Sequence, residues 1–314
     1  MAIPAPPDER FKSAPYRGRF APSPTGPLHF GSLIAAVASY LDARSHGGDW
    51  YVRMEDVDRP REMPGAADSI LRSLEALGLR WDGPVLYQSR RQDAYDAALE
   101  QLAADGAIYP CACSRREIAD GAVAGPNGAI YPGTCRNGLP PGRTARALRA
   151  RVPPQPVDFD DRLQGHCSQD LITEVGDFVV RRADGLVAYQ LAVVVDDADQ
   201  WITHVVRGSD LLDSTPRQIH LQRLLGLPTP SYLHLPVAVD ANGDKLSKQT
   251  GAPSIEGREP LELLLNALRF LGQQPPERLL EEDREALWQW AVAHWDPSRI
   301  PTTTAIPYAD PPSV

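Results

Sequence analysis

The sequence is short of the features that mark membrane-bound and secreted proteins. Nowhere in its 314 residues does an apolar run approach the roughly 20 residues that a membrane span needs. The first fifteen residues are rich in proline and charge and lack the apolar core of a signal peptide. Only four cysteines are present, three of them within 25 positions, which favours a metal site over a disulfide framework. We therefore expect a cytoplasmic protein that has no membrane partner.

Positive charge is also scarce. The chain has 32 Lys and Arg against 41 Asp and Glu, a formal net charge of −9, which argues against broad, non-specific binding of nucleic acid. The segment 136–151 is a local exception, with five arginines and no acid. It fits either a solvated face or a surface for RNA phosphates. Its arginines are Arg136, Arg143, Arg146, Arg149 and Arg151.

The chain alternates strand and helix patterns in the way that is typical of α/β proteins. Residues 18–21 and 50–54 are short strand patterns. A helix pattern follows each, beginning at Gly31 and ended by Gly47 in the first case, and covering 68–79 in the second. The order strand, helix, strand, helix predicts an α/β fold with a Rossmann-like, doubly wound parallel sheet.

This alternation is interrupted by a segment that has three of the cysteines, many Gly and Pro residues and short strand patterns. Its composition indicates an inserted module. Near the end of the chain, 259–271 and 277–294 have the pattern of amphipathic helices. The predicted units are a flexible arm at 1–16, the first half of the main domain at 17–104, the inserted module at 105–185, the second half of the main domain at 186–257, and a C-terminal helical region at 258–314.

His29 and Gly31 stand where the first strand pattern passes into the first helix. Prolines and Gly26 shape the turn before them. The free N–H groups and the positive dipole end of a helix N-terminus bind phosphate, and an imidazole beside them can donate to a phosphate oxygen. A lone histidine at such a turn is often incidental, but this setting favours a phosphate site.

Lys245 and Lys248 lie three positions apart in a polar, Gly-containing segment more than 200 residues later. Such a pair is often plain surface charge. Combined with the turn at His29, it predicts a cationic clamp for a triphosphate. A lysine aimed at the transferring phosphorus stabilises the charge that develops there.

Five segments, taken in order, resemble those of class I glutamyl-tRNA synthetases. RFAPSPTGPLHFG at 19–31 resembles their HIGH region, and KLSK at 245–248 resembles their KMSKS loop. RMEDVD at 53–58, YQLAVVVDD at 189–197 and ITHVVRG at 202–208 match between them. Several specific motifs in the same order make a chance match implausible.

The resemblance covers about residues 17–255 and departs from the family pattern at two positions. Ser32 stands at the fourth position of the HIGH motif, as is ordinary for the glutamate branch. Gln249 stands at the last position of the KMSKS motif, so any role of a serine there is absent.

The resemblance implies sites for glutamate and ATP. Glutamate has two carboxylates and one ammonium, so Arg19 and Arg207 suit the carboxylates, in either assignment, and Glu55 suits the ammonium. Tyr189 can add a hydroxyl contact. The implied glutamate positions are Arg19, Phe20, Ala21, Pro22, Ser23, Glu55, Tyr189 and Arg207. The implied ATP positions are His29, Gly31, Lys245 and Lys248, and Mg²⁺ accompanies ATP.

The clustered cysteines follow a C-x-C…C pattern that favours zinc. Three thiolates around a tetrahedral ion require a fourth ligand, and no histidine lies in this window. The resemblance implies that Tyr131 supplies it, with His166 and Cys167 as rival ligands. A closed ligand set implies one structural Zn²⁺ per chain. The implied ligands are Cys111, Cys113, Tyr131 and Cys135.

Only 66 residues follow Lys248, which is too few for the large anticodon-binding domain of a full glutamyl-tRNA synthetase. The chain thus resembles a truncated branch of the family that activates glutamate without tRNA and transfers it to the queuosine at the first anticodon position of tRNA(Asp). The implied partners are ATP, L-glutamate and queuosine-containing tRNA(Asp), with no stable protein partner. Two alternatives are a truncated synthetase that charges the tRNA 3′ end and an inactive RNA-binding paralogue.

Overall fold

The structure is a computed structural model that describes Phe11 and residues 14–126, 128–246 and 253–308. Most of the predicted arm and Lys248 lie outside these residues. The elements are β1 Arg17–Phe20, α1 Phe30–Ser45, β2 Asp49–Met54, α2 Ala66–Ala76, β3 Leu86–Tyr87, α3 Gln92–Ala104, β4 Ile108–Cys111, α4 Arg115–Gly121, β5 Val123–Gly125, β6 Gly128–Ile130, β7 Ala147–Ala150, β8 Val157–Asp161, β9 Gly165–Gln169, α5 Leu171–Glu174, β10 Val179–Arg181, α6 Tyr189–Asp199, β11 His204–Gly208, α7 Thr215–Leu225, β12 Ser231–Leu235, β13 Val237–Val239, α8 Pro260–Phe270, α9 Arg284–Ala293 and β14 Ala305–Pro307.

Parallel strands form the centre of the protein. β1 pairs with β2 and β2 with β3, all in parallel. β11 pairs with β12 and β12 with β8, also in parallel. Thr203 joins the two groups, because its N–H donates to the Arg17 carbonyl at 3.0 Å and its hydroxyl accepts from the Arg17 N–H at 2.8 Å. The prediction of an α/β fold with parallel strands is therefore confirmed.

α1 is the central helix of the main core. Its apolar side chains recur every three or four residues, and Leu33 and Val37 are fully buried in the cluster that also includes α8. Burying one such side chain contributes about 1.5–3 kcal/mol. The helix begins after His29, whose backbone is extended and whose side chain accepts from the Ser32 N–H at 3.3 Å. The N-terminus of α1 is thereby fixed next to the end of β1.

The segment predicted as one inserted module is divided among three sheets. β4, β7 and β10 form an antiparallel sheet, and β5 and β6 form a separate hairpin. β8, by contrast, pairs with β12 of the parallel group, with Asp161 opposite Tyr232, and β9 pairs antiparallel with β8. Residues 157–169 therefore extend the central sheet. The prediction grouped these residues into one unit at 105–185, because a strand pattern does not reveal which partner the strand will find.

The C-terminal region is not wholly helical. α8 lies within the first predicted helix, but the second is divided into the 3₁₀ turn Glu277–Leu280 and α9. Asp283 separates them, because its side chain caps α9 by accepting from the Ala286 N–H at 2.8 Å. β14 pairs in parallel with β13 and lies beyond the two predicted helices. No described helix is both long and apolar enough to cross a bilayer.

Asp42, on the buried side of α1, is contacted by three distant segments. Tyr16 donates its hydroxyl to Oδ2, Trp295 donates its indole N–H to Oδ1 at 3.1 Å, and Arg162 donates to both oxygens at 2.6 and 3.0 Å. Burial opposes ionisation, yet Arg162 and the other donors hold the pKa of Asp42 below its ordinary value. Tyr16, one residue before the predicted start of the main domain at 17, is itself buried.

Candidate active site

A cavity of about 310 Å³ opens where β1, β11 and β12 end and α1 begins. Ligands of α/β proteins bind at this edge of the sheet, because strand ends and helix N-termini meet there. Every predicted glutamate position lines the cavity, as do three of the four predicted ATP positions. These residues are Arg19, Phe20, Ala21, Pro22, Ser23, Glu55, Tyr189, Arg207, His29, Gly31 and Lys245.

Asp197, on α6, holds two arginines at this site. Its Oδ1 accepts from the Arg19 Nε at 3.1 Å and from the Arg53 Nη1 at 2.7 Å. The three side chains are at most 6% exposed. Burial opposes ionisation of Asp197, but the two guanidinium groups hold its pKa below the ordinary range. Asp197 thereby fixes the guanidinium group of Arg19 beside the cavity.

Glu55 directly follows β2 and lines the same cavity. Its Oε1 lies 3.5 Å from the Arg53 Nη2. Burial raises the pKa of Glu55 to about 7, although Arg53 and Arg19 act in the opposite direction. Because its charged form is only weakly stabilised by the protein, this carboxylate can gain much from a cationic ligand such as an ammonium group.

Arg207 lines the cavity from β11. Its Nε donates to the His234 Nε2 at 3.0 Å, and its Nη2 donates to the Thr215 Oγ1 at 2.8 Å. Its Nη1 is buried and has no hydrogen-bond partner among the described residues. Tyr189 lies across the same cavity, where burial raises the pKa of its hydroxyl to about 12. That hydroxyl stays protonated at neutral pH and can donate to an anion.

The imidazole of His29 lies over the N-terminus of α1. The Ser32 N–H donates to Nδ1 at 3.3 Å, and the Ser32 hydroxyl lies 2.9 Å from Nε2. Ser32 is the position at which the sequence departs from the HIGH motif. It therefore contacts both ring nitrogens of His29 and sets the orientation of the ring.

The two motifs that lie more than 200 residues apart are in contact. A Cβ placed on Gly31 would stand 3.1 Å from the carbonyl oxygen of Leu246. On the other side of residues 247–252, the Ile255 N–H donates to the Leu28 carbonyl at 3.0 Å. Both described ends of the KMSKS-like loop are thus held beside the turn that contains His29.

Lys245 forms an ion pair with Asp210, whose Oδ2 lies 2.5 Å from the lysine Nζ. Both residues line the cavity. The ammonium group is therefore at the site predicted for ATP, and it has a carboxylate partner there. Lys248 lies outside the described residues, so its predicted role stays a prediction.

Three cysteine sulfurs and one tyrosine hydroxyl form a compact group behind β4. The Sγ atoms of Cys111, Cys113 and Cys135 all lie within 4.8 Å of one another. The Sγ atoms of Cys113 and Cys135 are 3.6 Å apart, and the Tyr131 Oη is 3.4 Å from Cys111 and 3.7 Å from Cys113. Ligands about 2.3 Å from a tetrahedral zinc are separated by about 3.8 Å. The spacing therefore fits one metal ion.

The surroundings of the group favour negative charge on Cys111, whereas burial raises the pKa of the Tyr131 hydroxyl above its ordinary value. Its Oη accepts from the Cys135 N–H at 3.0 Å. The Arg149 guanidinium carbon lies 3.7 Å from the centre of the Tyr131 ring, and the Arg149 Nε donates to the Cys111 Sγ at 3.3 Å. Burial opposes ionisation, but hydrogen bonds from Tyr131 and Arg149 bring the pKa of the Cys111 thiol below its ordinary value.

The rival ligands lie elsewhere. His166 and Cys167 are on β9, where the His166 Nδ1 is 3.0 Å from Asp160. Over the part of the chain that the structure describes, no His, Asp or Glu belongs to the cysteine group. The geometry therefore supports Tyr131 as the fourth ligand.

The arginines of the segment 136–151 interact largely with other groups of the protein. Arg136 pairs with the buried carboxylate of Asp177, and Arg143 pairs with Glu117 at 2.8 Å. Arg149 is buried beside the cysteine group. The predicted choice between a solvated face and an RNA surface omitted these internal pairs, because their acidic partners lie outside the segment.

Four polar residues of the site were not predicted to have a role. Arg53 and Asp197 lie in segments that resemble the family motifs. A charged residue inside an otherwise apolar strand or helix was the signal that could have identified them. Asp161 and His234 are buried and hydrogen-bonded to each other at 2.6 Å. Neither residue lies in a segment that resembles the family motifs, so no motif indicated a role for them.

Comparisons of the sequence and of the structure with known proteins lead to the same family. Residues 16–288 match the family model of the class I tRNA synthetases (E and Q), catalytic domain. The glutamyl-Q tRNA(Asp) synthetase of Dechloromonas aromatica is 60% identical over 94% of this chain and 98% of that protein. That of Geobacter sulfurreducens is 55% identical over 99% of this chain and 100% of that protein. A glutamate tRNA ligase from Elizabethkingia meningosepticum, solved in complex with its amino acid, superposes with a TM-score of 0.78 at 26% identity and covers 94% of this chain and 67% of that one.

Proposed function

Because the chain belongs to the class I tRNA synthetases (E and Q), in the branch of the glutamyl-Q tRNA(Asp) synthetases, we propose that it activates L-glutamate with ATP and transfers it to the queuosine of tRNA(Asp). It is an enzyme of the ligase type. The observation that carries the proposal is the single cavity that brings Arg19, Arg207 and Glu55 together. Two cations and one acid match the two carboxylates and one ammonium of glutamate.

In the proposed complex, Arg19 and Arg207 bind the carboxylates and Glu55 binds the ammonium. Arg19 is fixed by Asp197 and Arg207 by His234 and Thr215, so both guanidinium groups are preorganised. The Arg207 Nη1, which has no described partner, is left as a donor for the ligand. Tyr189 donates its hydroxyl to a carboxylate. Hydrogen bonds to charged groups contribute about 1.5–3 kcal/mol each, enough in sum to select an acidic amino acid.

ATP binds beside glutamate, against the N-terminus of α1. The helix N–H groups, His29 and the lysines Lys245 and Lys248 are the donors for its phosphates, and Gly31 leaves room for the chain at Leu246. Mg²⁺ accompanies ATP and offsets phosphate charge. A glutamate carboxylate oxygen attacks the α-phosphorus, the bond to the bridging oxygen breaks, and pyrophosphate leaves. This step needs no tRNA.

The second step transfers the glutamyl group. A hydroxyl of the queuosine cyclopentenediol attacks the acyl carbon of glutamyl-adenylate, its proton is lost, and AMP leaves. The anticodon loop therefore has to present its first base at the cavity. The identity of 55–63% to proteins named for this reaction supports the acceptor.

The cysteine group holds one structural zinc in this proposal. Its ligands are Cys111, Cys113, Cys135 and Tyr131, whose mutual distances fit a tetrahedral ion. Four protein ligands leave no open position, so the ion stabilises the sheet of β4, β7 and β10 and takes no part in the reaction.

Glutamate-dependent exchange of pyrophosphate into ATP, measured without tRNA, tests the first step. We expect exchange with glutamate and none with glutamine, which lacks the second carboxylate. Exchange that begins only when tRNA is added would contradict activation without tRNA.

The acceptor is tested with labelled glutamate, ATP and tRNA(Asp) that carries either queuosine or guanosine at the first anticodon position. Guanosine lacks the attacking hydroxyls, so we expect label only on the queuosine form and only in the anticodon stem-loop after nuclease digestion. Label on the 3′-terminal adenosine, or equal labelling of both tRNAs, would instead identify the activity of a glutamate tRNA ligase.

A further inference from the structure

A series of buried, hydrogen-bonded side chains holds Arg207 in place and extends beyond the cavity. Arg207 lies opposite His234 in the parallel pairing of β11 and β12. His234 is in turn bonded to Asp161 on β8, the strand on the other side of β12. Asp161, His234 and Arg207 are 4%, 0% and 5% exposed. These buried contacts together fix the position of the Arg207 guanidinium.

The hydrogen-bond donors and acceptors around His234 are compatible with only one of its two neutral tautomers. A guanidinium only donates, so the His234 Nε2 must accept from the Arg207 Nε at 3.0 Å. The ring proton is therefore on Nδ1, which donates to the Asp161 Oδ2 at 2.6 Å. Burial lowers the pKa of His234 to about 4, so the ring is neutral at neutral pH and adds no charge beside Arg207.

Asp161 is anchored through its other oxygen. Oδ1 accepts from the Leu163 N–H at 3.0 Å and from the Gln164 N–H at 2.9 Å, in the turn between β8 and β9. Both carboxylate oxygens are thus acceptors, a condition that an amide cannot meet. The turn fixes Asp161, Asp161 fixes the tautomer of His234, and His234 fixes Arg207.

Arg207 also differs from Arg19 in its charge balance. Arg19 is paired with Asp197, whereas Arg207 makes no ion pair within the described part of the chain. Its positive charge is therefore available to a ligand, and only neutral groups hold it in place.

We propose that Asp161 and His234 are positioning residues for glutamate, which act by holding Arg207 in the orientation that binds a carboxylate of the substrate. This inference rests on the proposed function, because it takes the ligand of the cavity to be glutamate. It assigns part of the amino-acid site to β8 and to the turn that follows it, outside all five segments that carry the family motifs.

The test measures KM for glutamate and KM for ATP separately in pyrophosphate exchange. Asp161→Asn places an amide donor against His234 or against the turn. When it faces His234, the ring adopts the other tautomer and Nε2–H opposes the Arg207 donor. We expect KM for glutamate to rise about 10- to 100-fold, the loss of one well-oriented charged hydrogen bond, and KM for ATP to stay within about twofold. The matched control is Asp160→Asn, the same change at the exposed neighbouring position, which should leave both constants unchanged.

His234→Phe and His234→Gln give a second, independent comparison. Phe keeps the ring volume but removes both polar atoms, whereas Gln retains an oxygen that can accept from Arg207. We expect a large rise of KM for glutamate with Phe and a smaller one with Gln. A binding measurement with glutamate alone replaces kinetics for a variant that is too slow to assay.

Two outcomes would overturn the inference. One is an unchanged KM for glutamate in Asp161→Asn and His234→Phe, and the other is an equal rise of both KM values accompanied by loss of stability, as a purely structural role requires. Failure of the unaltered enzyme to show any glutamate-dependent exchange would refute the proposed function instead.

Discussion

Gly31 and the carbonyl oxygen of Leu246 are so close that a single Cβ would stand 3.1 Å from that oxygen. This relationship joins the first turn of α1 to the start of the KMSKS-like loop. The same Cβ would stand 3.2 Å from two atoms of the His29 ring. A glycine is needed here for the approach of the backbone, and the conformation of Gly31 itself is ordinary.

Gly31→Ala should separate activity from stability. The added methyl displaces the Leu246 segment or the His29 ring by a few tenths of an ångström, and we expect pyrophosphate exchange to fall about tenfold, since small displacements at reacting groups are costly. Alanine is the better helix former by about 1 kcal/mol, so the free energy of unfolding in urea should stay within about 1 kcal/mol of the original. Gly121→Ala, at the end of α4 where the added Cβ would stand 3.8 Å from the Pro132 side chain, should change neither quantity.

Glutamate binding should weaken as the pH falls below 7. Burial raises the pKa of Glu55 to about 7, and only its ionised form attracts the substrate ammonium. Below the pKa the carboxyl must lose its proton before it can pair, so the KM for glutamate should rise by up to about tenfold per pH unit and level off above about pH 8. The measurement is KM for glutamate in pyrophosphate exchange between pH 5.5 and 8.5.

Glu55→Gln is the control for this pH dependence. It removes the titrating group, so binding should be weak at every pH and this rise of KM at acid pH should be absent. A pH profile identical to that of the original enzyme would assign the titration to another group.

Zinc content should depend on the cysteine group and not on the remaining cysteine. The protein should contain about one zinc per chain, and Cys113→Ser should lose the zinc together with stability of the β4–β7–β10 sheet, because metal binding and folding are coupled. Cys167→Ser is the matched control, because Cys167 lies on β9 outside the group. Elemental analysis and thermal unfolding measure both effects.

Tyr131→Phe extends the same test to the fourth ligand. It removes one oxygen ligand and leaves three thiolates, so zinc should be retained more weakly than in the original protein but more strongly than in Cys113→Ser. Unchanged zinc affinity in the Phe variant would exclude the tyrosine as a ligand.

Lys248→Ala should reduce the rate of activation by about 10²–10³, with little change in glutamate affinity, as expected for the loss of one donor to the transition state. Lys245→Ala provides the comparison, because Lys245 already has a carboxylate partner in Asp210 and should contribute less. The two rates are compared at saturating glutamate. Near-original turnover of Lys248→Ala would remove this lysine from the mechanism.

The sequence predicted the site better than it predicted the boundaries of the fold. Arg19, Glu55 and Arg207 were placed by motifs in which residue type and order are both specific, and the structure brings them to one cavity. The α/β alternation near the N-terminus was also clear, because α1 and β2 have strong apolar patterns.

The sequence analysis did not predict strands and residues whose role depends on a partner far away in the sequence. β8 reads as an isolated polar strand, DFDD, until β12 pairs with it. β14 is three residues long and ends in proline, so it has no pattern of its own. His234 looked like one polar residue in an apolar strand, and only the contact with Asp161 shows why it is there.

The meeting of three segments on Asp42 has a consequence for the order in which the chain can fold during synthesis. α1 leaves the ribosome with Asp42, but Trp295 follows 253 residues later, about 13 to 50 s at ordinary rates of translation. Arg162 arrives roughly midway, 120 residues after Asp42. The face of α1 that packs in one core with α8 and α9 therefore lacks these apolar partners until the C-terminal segment has been made.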